Sequence, residues 1–179
     1  MERDEIVGLI RATPDLIANI CRGLSDEQLR RRPAESEWSL LELACHLRDS
    51  AIEEGMRARR MVEEDNPALD SYDQLQRAIE RNYSGADIDS VMTALRAYWT
   101  GYAYQLERFS AAEWDRRGTH TEVGPVTVHR RAELEVEHVE VHLAQMQATR
   151  QAVVEEGPGR LDGPPERILD GGALETAGP

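Results

Sequence analysis

Three segments of this chain carry the same start signal for a helix: Ser25-Asp-Glu-Gln28, Ser39-Leu-Leu-Glu42 and Ser110-Ala-Ala-Glu113. A serine followed three residues later by Glu or Gln satisfies two backbone N–H groups that a helix start leaves unpaired, each side chain bonding the other residue's backbone. Apolar residues around these signals recur at spacings of three and four. Ile6, Ile10, Thr13, Ile17, Ile20 and Leu24 form one stripe, Leu40, Leu43, Leu47 and Ala51 a second, and Ile88, Val91, Leu95, Tyr98, Tyr102 and Phe109 a third. That period belongs to helices that bury one face, so the chain can fold only by packing helices together.

The reading is an all-α, four-helix bundle over residues 1–154, with a long crossover between the second and third helices. The first helix ends near Gly23, and Thr13-Pro14 marks either a kink or a fresh start within it. The second runs from Ser39 to about Glu63, where Glu64-Asp-Asn-Pro67 stops it. Residues 64–87 make the crossover, with one short helix from Tyr72 to Asn82. The third helix spans Ile88 to Phe109, and Gly101 among Tyr98, Trp99, Tyr102 and Tyr104 suggests a tight helix contact. After a turn through Gly118 and Thr119-His-Thr-Glu-Val-Gly124-Pro125, Thr127 caps the fourth helix, which runs to about Val154. Leu24 to Arg32 and Phe109 to Arg117 echo one another, each following a long helix and preceding one that carries histidine. Residues 155–179 read as a flexible Gly/Pro-rich tail, since six Gly and four Pro fall after residue 156; Arg167-Ile-Leu169 could dock on a neighbour.

Charge narrows the choice of partner. Arg supplies all 21 basic residues against 34 acidic ones, and the formal net charge of −13 disfavours nucleic acid and anionic membranes. Cys21 and Cys45 are too few for a disulfide framework and read as small core residues in a reducing compartment. With no apolar run long enough to span a bilayer and no signal-peptide shape at Met1-Glu-Arg-Asp-Glu5, a cytoplasmic location is expected.

The chemistry lies in the histidines. His138 and His142 stand four apart in Glu135-Val-Glu-His-Val-Glu-Val-His142, so a helix places them on one face, close enough to grip one metal ion. His46, in Trp38-Ser-Leu-Leu-Glu-Leu-Ala-Cys-His46, sits at the edge of the second helix's apolar stripe and is predicted to look inward. Three neutral imidazoles from two helices would leave a divalent metal its full charge and an open position, as catalysis requires; a pair of histidines one turn apart also occurs without any metal. Imidazole ligation suits Zn, Ni, Fe or Cu, with Zn or Ni favoured. Glu42 and Glu135 are candidates to orient the ligands through their second ring nitrogens, with a solvated helix surface as the alternative for each; Asp49 could instead tie down the bundle. Trp38 reads as packing. His120 could line a pocket mouth, a surface-loop position being the plainer reading, and His129 reads as non-functional. The third-helix aromatics could cap an apolar pocket or simply pack the core.

Taken together, Trp38-Ser-x-x-Glu-x-x-x-His46-Leu-x-Asp49, the crossover with Pro67 and Tyr72-Asp73, the Gly118-x-His120 turn and His138-x-x-x-His142-Leu resemble the DinB-like (YfiT/DinB) superfamily over roughly residues 1–152. That resemblance implies a four-helix bundle holding a divalent metal through one ligand of the second helix and two of the fourth, here His46, His138 and His142. It also implies an enzyme of bacillithiol or mycothiol type, a transferase in which the metal activates a low-molecular-weight thiol, or water for hydrolysis, against a small electrophilic substrate. The isomerase branch of the family has Glu where this chain has His138, which argues against maleylpyruvate isomerisation. The alternative is a non-enzymatic metal-binding stress-response protein that pairs as a homodimer through the third helix's surplus aromatics.

Overall fold

The computed structural model describes residues 1–155. Its four long helices are α1 (Arg3–Cys21), α3 (Leu40–Glu63), α5 (Ile88–Arg108) and α7 (Val128–Glu155). Shorter elements fill the connections: α2 (Asp26–Arg30), β1 (Ala68–Leu69), α4 (Gln74–Glu80), a single 3-10 turn (Tyr83–Gly85), α6 (Ala111–Trp114), β2 (Arg117–His120) and β3 (Gly124–Thr127). The tail expected from residue 155 lies outside the described residues, apart from Glu155 itself. Among the described residues no helix is long and apolar enough to cross a membrane.

All three serine signals form the expected boxes. Ser25 Oγ accepts from Gln28 N, Ser39 Oγ from Glu42 N and Ser110 Oγ from Glu113 N, and each partner side chain accepts from the serine's own N–H. Thr127 Oγ1 accepts from Arg130 N at 3.1 Å and so starts α7 as predicted. Thr13-Pro14 does not divide the first helix: α1 runs unbroken through Pro14, and Thr13 Oγ1 donates to Leu9 O at 3.0 Å.

Each of α1 and α3 packs against both α5 and α7, which places α1 and α3 at opposite corners of the bundle and makes α3–α7 one of its four seams. The core between them holds Ile6, Ile10 and Ile17 of α1, Leu40, Leu43 and Leu47 of α3, Leu95 and Trp99 of α5 and Met146 of α7, all fully buried. Trp99 Nε1 donates to Leu47 O at 3.1 Å, so the one polar atom of its indole is satisfied inside the core.

The third stripe departs from its predicted register. Trp99, not Tyr98, points inward, because the buried positions are Val91, Leu95, Trp99, Tyr102 and Leu106; Tyr98 and Tyr104 face solvent. Gly101 lies on the open side as well, with nothing within 4 Å of where a Cβ would stand. The glycine beneath an aromatic on α5 is Gly55, whose added Cβ would meet Tyr102 at 4.0 Å.

A small three-stranded sheet, in the order β1-β2-β3, is the other departure. β2 and β3 pair antiparallel, with Arg117 opposite Thr127 and His120 opposite Gly124, and β1 adds in parallel through Ala68–Thr119 and Leu69–His120. Gly118 leaves the backbone room where β2 crosses α3: an added Cβ would lie 3.0 Å from Leu69 Cδ1 and 3.1 Å from Met61 Cγ. The sheet stitches the crossover to the strand that enters α7, closing one end of the α3–α7 seam.

Candidate metal centre

Along the α3–α7 seam the side chains are polar. His46, Ser50, Glu54 and Arg57 recur at spacings of four, four and three on α3, and Arg131, Glu135, His138 and His142 at four, three and four on α7. The helices run antiparallel, so these residues meet as three rungs about one helical turn apart. His46 faces His138 and His142, Ser50 faces Glu135, and Glu54 faces Arg131.

The first rung is the predicted triad. One nitrogen from each of His46, His138 and His142 lies within 4.8 Å of the other two, and His46 Nε2 stands 3.1 Å from His138 Nε2. Two ligands bound to one tetrahedral ion at about 2.0–2.1 Å stand about 3.3 Å apart, so the His46–His138 spacing fits a shared ion. His142 Nδ1 donates to Gln145 Oε1 at 2.9 Å, which fixes the proton there and leaves Nε2 with its lone pair available. Among the described residues no carboxylate joins the three, and a cluster of imidazoles alone is the kind that suits Zn, Ni, Fe or Cu.

Electrostatics keep two of the three histidines neutral. Burial, reinforced by His138 and His142, pushes His46 well below the usual histidine value, and burial with His138 takes His142 down to about 4. Burial opposes the charge on His138 as well, but the Glu135 carboxylate outweighs it and raises that residue's pKa. His46 and His142 are buried, whereas the His138 side chain is 30% exposed. Trp38 packs its ring on His46 at 5.3 Å and on Tyr83 at 6.4 Å, the packing role expected of it.

The second rung is buried throughout: Ser50 Oγ donates to Glu135 Oε1 at 2.6 Å, and Glu135 Oε2 lies 3.5 Å from His138 Nδ1. The solvated-surface alternative for Glu135 is thereby excluded. Glu42 does not orient His46. Its carboxylate accepts from Ser39 N at 2.9 Å and pairs with Arg32, both away from the centre. Asp49 ties down the crossover, accepting from Arg81 and, at 2.6 Å, from Tyr83 Oη.

In the third rung Glu54 accepts from Arg57 Nη1 at 2.6 Å and from both Arg131 Nε, at 3.0 Å, and Arg131 Nη2. Arg57 also donates to the Asp70 carbonyl, so this carboxylate joins α3, α7 and the crossover. His120 is not in a surface loop: it sits on β2, buried, with its pKa lowered by burial and by Arg131 and Arg57. His129 lies apart, bonded to Met1 O and set edge-on against Trp114. Of the polar seam beyond the triad only Glu135 was singled out from the sequence; Ser50, Glu54, Arg57 and Arg131 were not, although their three-four spacing was available as a signal.

Comparison with known proteins agrees with this architecture. YfiT from Bacillus subtilis, described as "a probable metal-dependent hydrolase with an unusual four-helix bundle topology", superposes with a TM-score of 0.78 over 84% of this chain and 86% of its own, at 18% identity. A Geobacillus thermodenitrificans protein named "Putative metal-dependent hydrolase" is 25% identical over 112 residues, 63% of each chain, so the match spans less than two thirds of that relative. One of the same name from Oceanobacillus iheyensis is 24% identical over 143 residues, 80% of this chain and 83% of its own. The family model of the DinB superfamily matches residues 9–146, a segment that takes in all three histidines and most of both helices that carry them, and on that match the chain belongs to the DinB superfamily.

Proposed function

We propose that the chain is a metal-dependent enzyme in which His46, His138 and His142 hold one divalent ion, Zn or Ni in the first instance, beside a site for a small electrophilic substrate. The observation that carries this reading is the convergence of three ring nitrogens in a buried seam with no acidic partner among them. A divalent ion held there supplies a Lewis acid and brings the pKa of water or a thiol toward neutrality. The protein's own contribution is orientation and dryness. Trp38 packs against the buried His46, and Gln145 holds the His142 ring. Exposure of His138 favours an accessible catalytic centre over the closed one that a purely metal-binding, dimerising protein would need.

Hydrolysis is the first reading, because the relatives from Geobacillus and Oceanobacillus carry that name. Transfer of a low-molecular-weight thiol to the same class of electrophile uses the same residues and is the finer alternative. Elemental analysis of untagged protein should find one equivalent of metal in the wild type and little in His142→Ala. The loaded protein is then assayed on activated esters and amides, with and without bacillithiol or mycothiol. Absence of metal in the wild type, before and after reconstitution, refutes the proposal; turnover only with thiol selects transfer over hydrolysis.

A further inference from the structure

We infer that Glu135, anchored by Ser50, is a positioning residue that fixes the tautomer of His138 and thereby aims its Nε2 at the centre. The inference rests on the three-histidine reading for its use, and on the second rung for its evidence. His138 Nε2 is turned toward His46 at 3.1 Å, so any partner that orients the ring must act on Nδ1. Nδ1 is buried and makes no hydrogen bond of its own, which is costly unless something nearby compensates. The group placed to do so is Glu135 Oε2 at 3.5 Å, beyond a well-formed hydrogen bond but within the distance that tightens when a site is loaded.

Glu135 has little freedom to be elsewhere. It lies one turn before His138 on the same helix, it is buried, and its other oxygen is held from across the seam by Ser50 Oγ at 2.6 Å. Ser50 in turn lies one turn after His46. A serine and a carboxylate therefore couple the spacing of α3 and α7 to the ring orientation of a ligand. With a carboxylate facing Nδ1, the favoured neutral tautomer carries its proton on Nδ1 and leaves Nε2 as the electron-pair donor. In the metal-free protein the His46–His138 contact then has His46 Nε2 as donor. Partners of this kind usually change metal affinity about 10- to 100-fold when removed.

The test separates this inference from the metal reading by measuring the ring itself. In metal-free protein labelled with 15N-histidine at pH 8, the His138 ring shifts should report a proton on Nδ1 in the wild type. That preference should be lost in Glu135→Leu and largely kept in Glu135→Gln, whose amide oxygen can still accept. Competition with a chelating dye should show zinc affinity falling by about 10- to 100-fold in Glu135→Leu, by less in Ser50→Ala, and recovering in Glu135→Gln. A wild-type His138 protonated on Nε2, or a tautomer unchanged in a Glu135→Leu protein that remains folded by circular dichroism, overturns the inference whether or not zinc binds. If the wild type shows the Nδ1 tautomer but takes up no metal, the positioning role stands and the three-histidine reading fails.

Discussion

Replacing Glu54 by Gln should be the most destabilising single isosteric change in the seam. The carboxylate is 2% exposed and receives hydrogen bonds from two guanidiniums that are themselves nearly buried. An amide keeps the shape, removes the charge and turns an NH2 group toward donors. Two buried cations are then left facing one another. Breaking a buried ion pair from one side costs about 3–5 kcal/mol, which for a domain of this size lowers the melting temperature by roughly 6–20 °C. Glu63→Gln is the control: it breaks an i,i+4 pair with Arg59 on the same helix with both side chains more than half exposed, and should cost less than about 1 kcal/mol. Urea unfolding of chelator-treated proteins gives both numbers. Burial opposes the charge on Glu54, yet Arg131 and Arg57 hold its pKa below the usual 4.5, so its contribution is fully present above that value. It is lost as pH falls through 4.5 and then through the lower folded value. The gap between wild type and Glu54→Gln should therefore narrow in acid. Equal costs for Glu54→Gln and Glu63→Gln, or a gap independent of pH, would refute the idea that this carboxylate joins the helices.

Two further substitutions probe the packing that holds the seam in place. Trp99→Ala removes a fully buried indole and its bond to the Leu47 carbonyl and should cost about 3–5 kcal/mol in urea unfolding; Tyr98→Ala, one residue away but exposed, should cost about 1 kcal/mol or less. Gly118→Ala places a methyl against Leu69 and Met61 and should cost about 1–3 kcal/mol by overpacking. An unchanged melting temperature in that variant would show that both side chains yield.

What could be read from the sequence was what is local. Ser25, Ser39 and Ser110 set helix starts through partners three residues away, and each box formed. The inward register of His46 followed from its distance to Leu43 and Leu47 on the same helix. Failures arose where the deciding partner is remote. β1 and β2 are two and four residues long, and their parallel pairing joins positions about fifty apart, so neither alternation nor length marks them. His120 is buried because of that pairing. Tyr98 and Trp99 are adjacent aromatics on a helix, and which of them turns inward depends on the packing against α3, where Trp99 finds the Leu47 carbonyl. Glu135 read equally well as a solvated charge because its partner, Ser50, is on another helix.

The polar seam also bears on why the histidines are present at all. A four-helix bundle gains most by filling its seams with leucine and isoleucine, as this one does between α1 and α5. Between α3 and α7 it buries Ser50, Glu54 and Glu135 together with most of Arg131, groups that repay their desolvation only when each finds a partner. They do so in register with the triad, one turn and two turns below it. The nearest rung sets a carboxylate 3.5 Å from the Nδ1 of His138, and the next ties both helices to the crossover. Histidines that were only residual core packing would gain nothing from such a frame, because an apolar seam holds helices together at least as well. The graded order from histidine cluster to carboxylate support to ion-paired tie is what a site requires when three ring nitrogens from two helices must meet at one point within a fraction of an ångström.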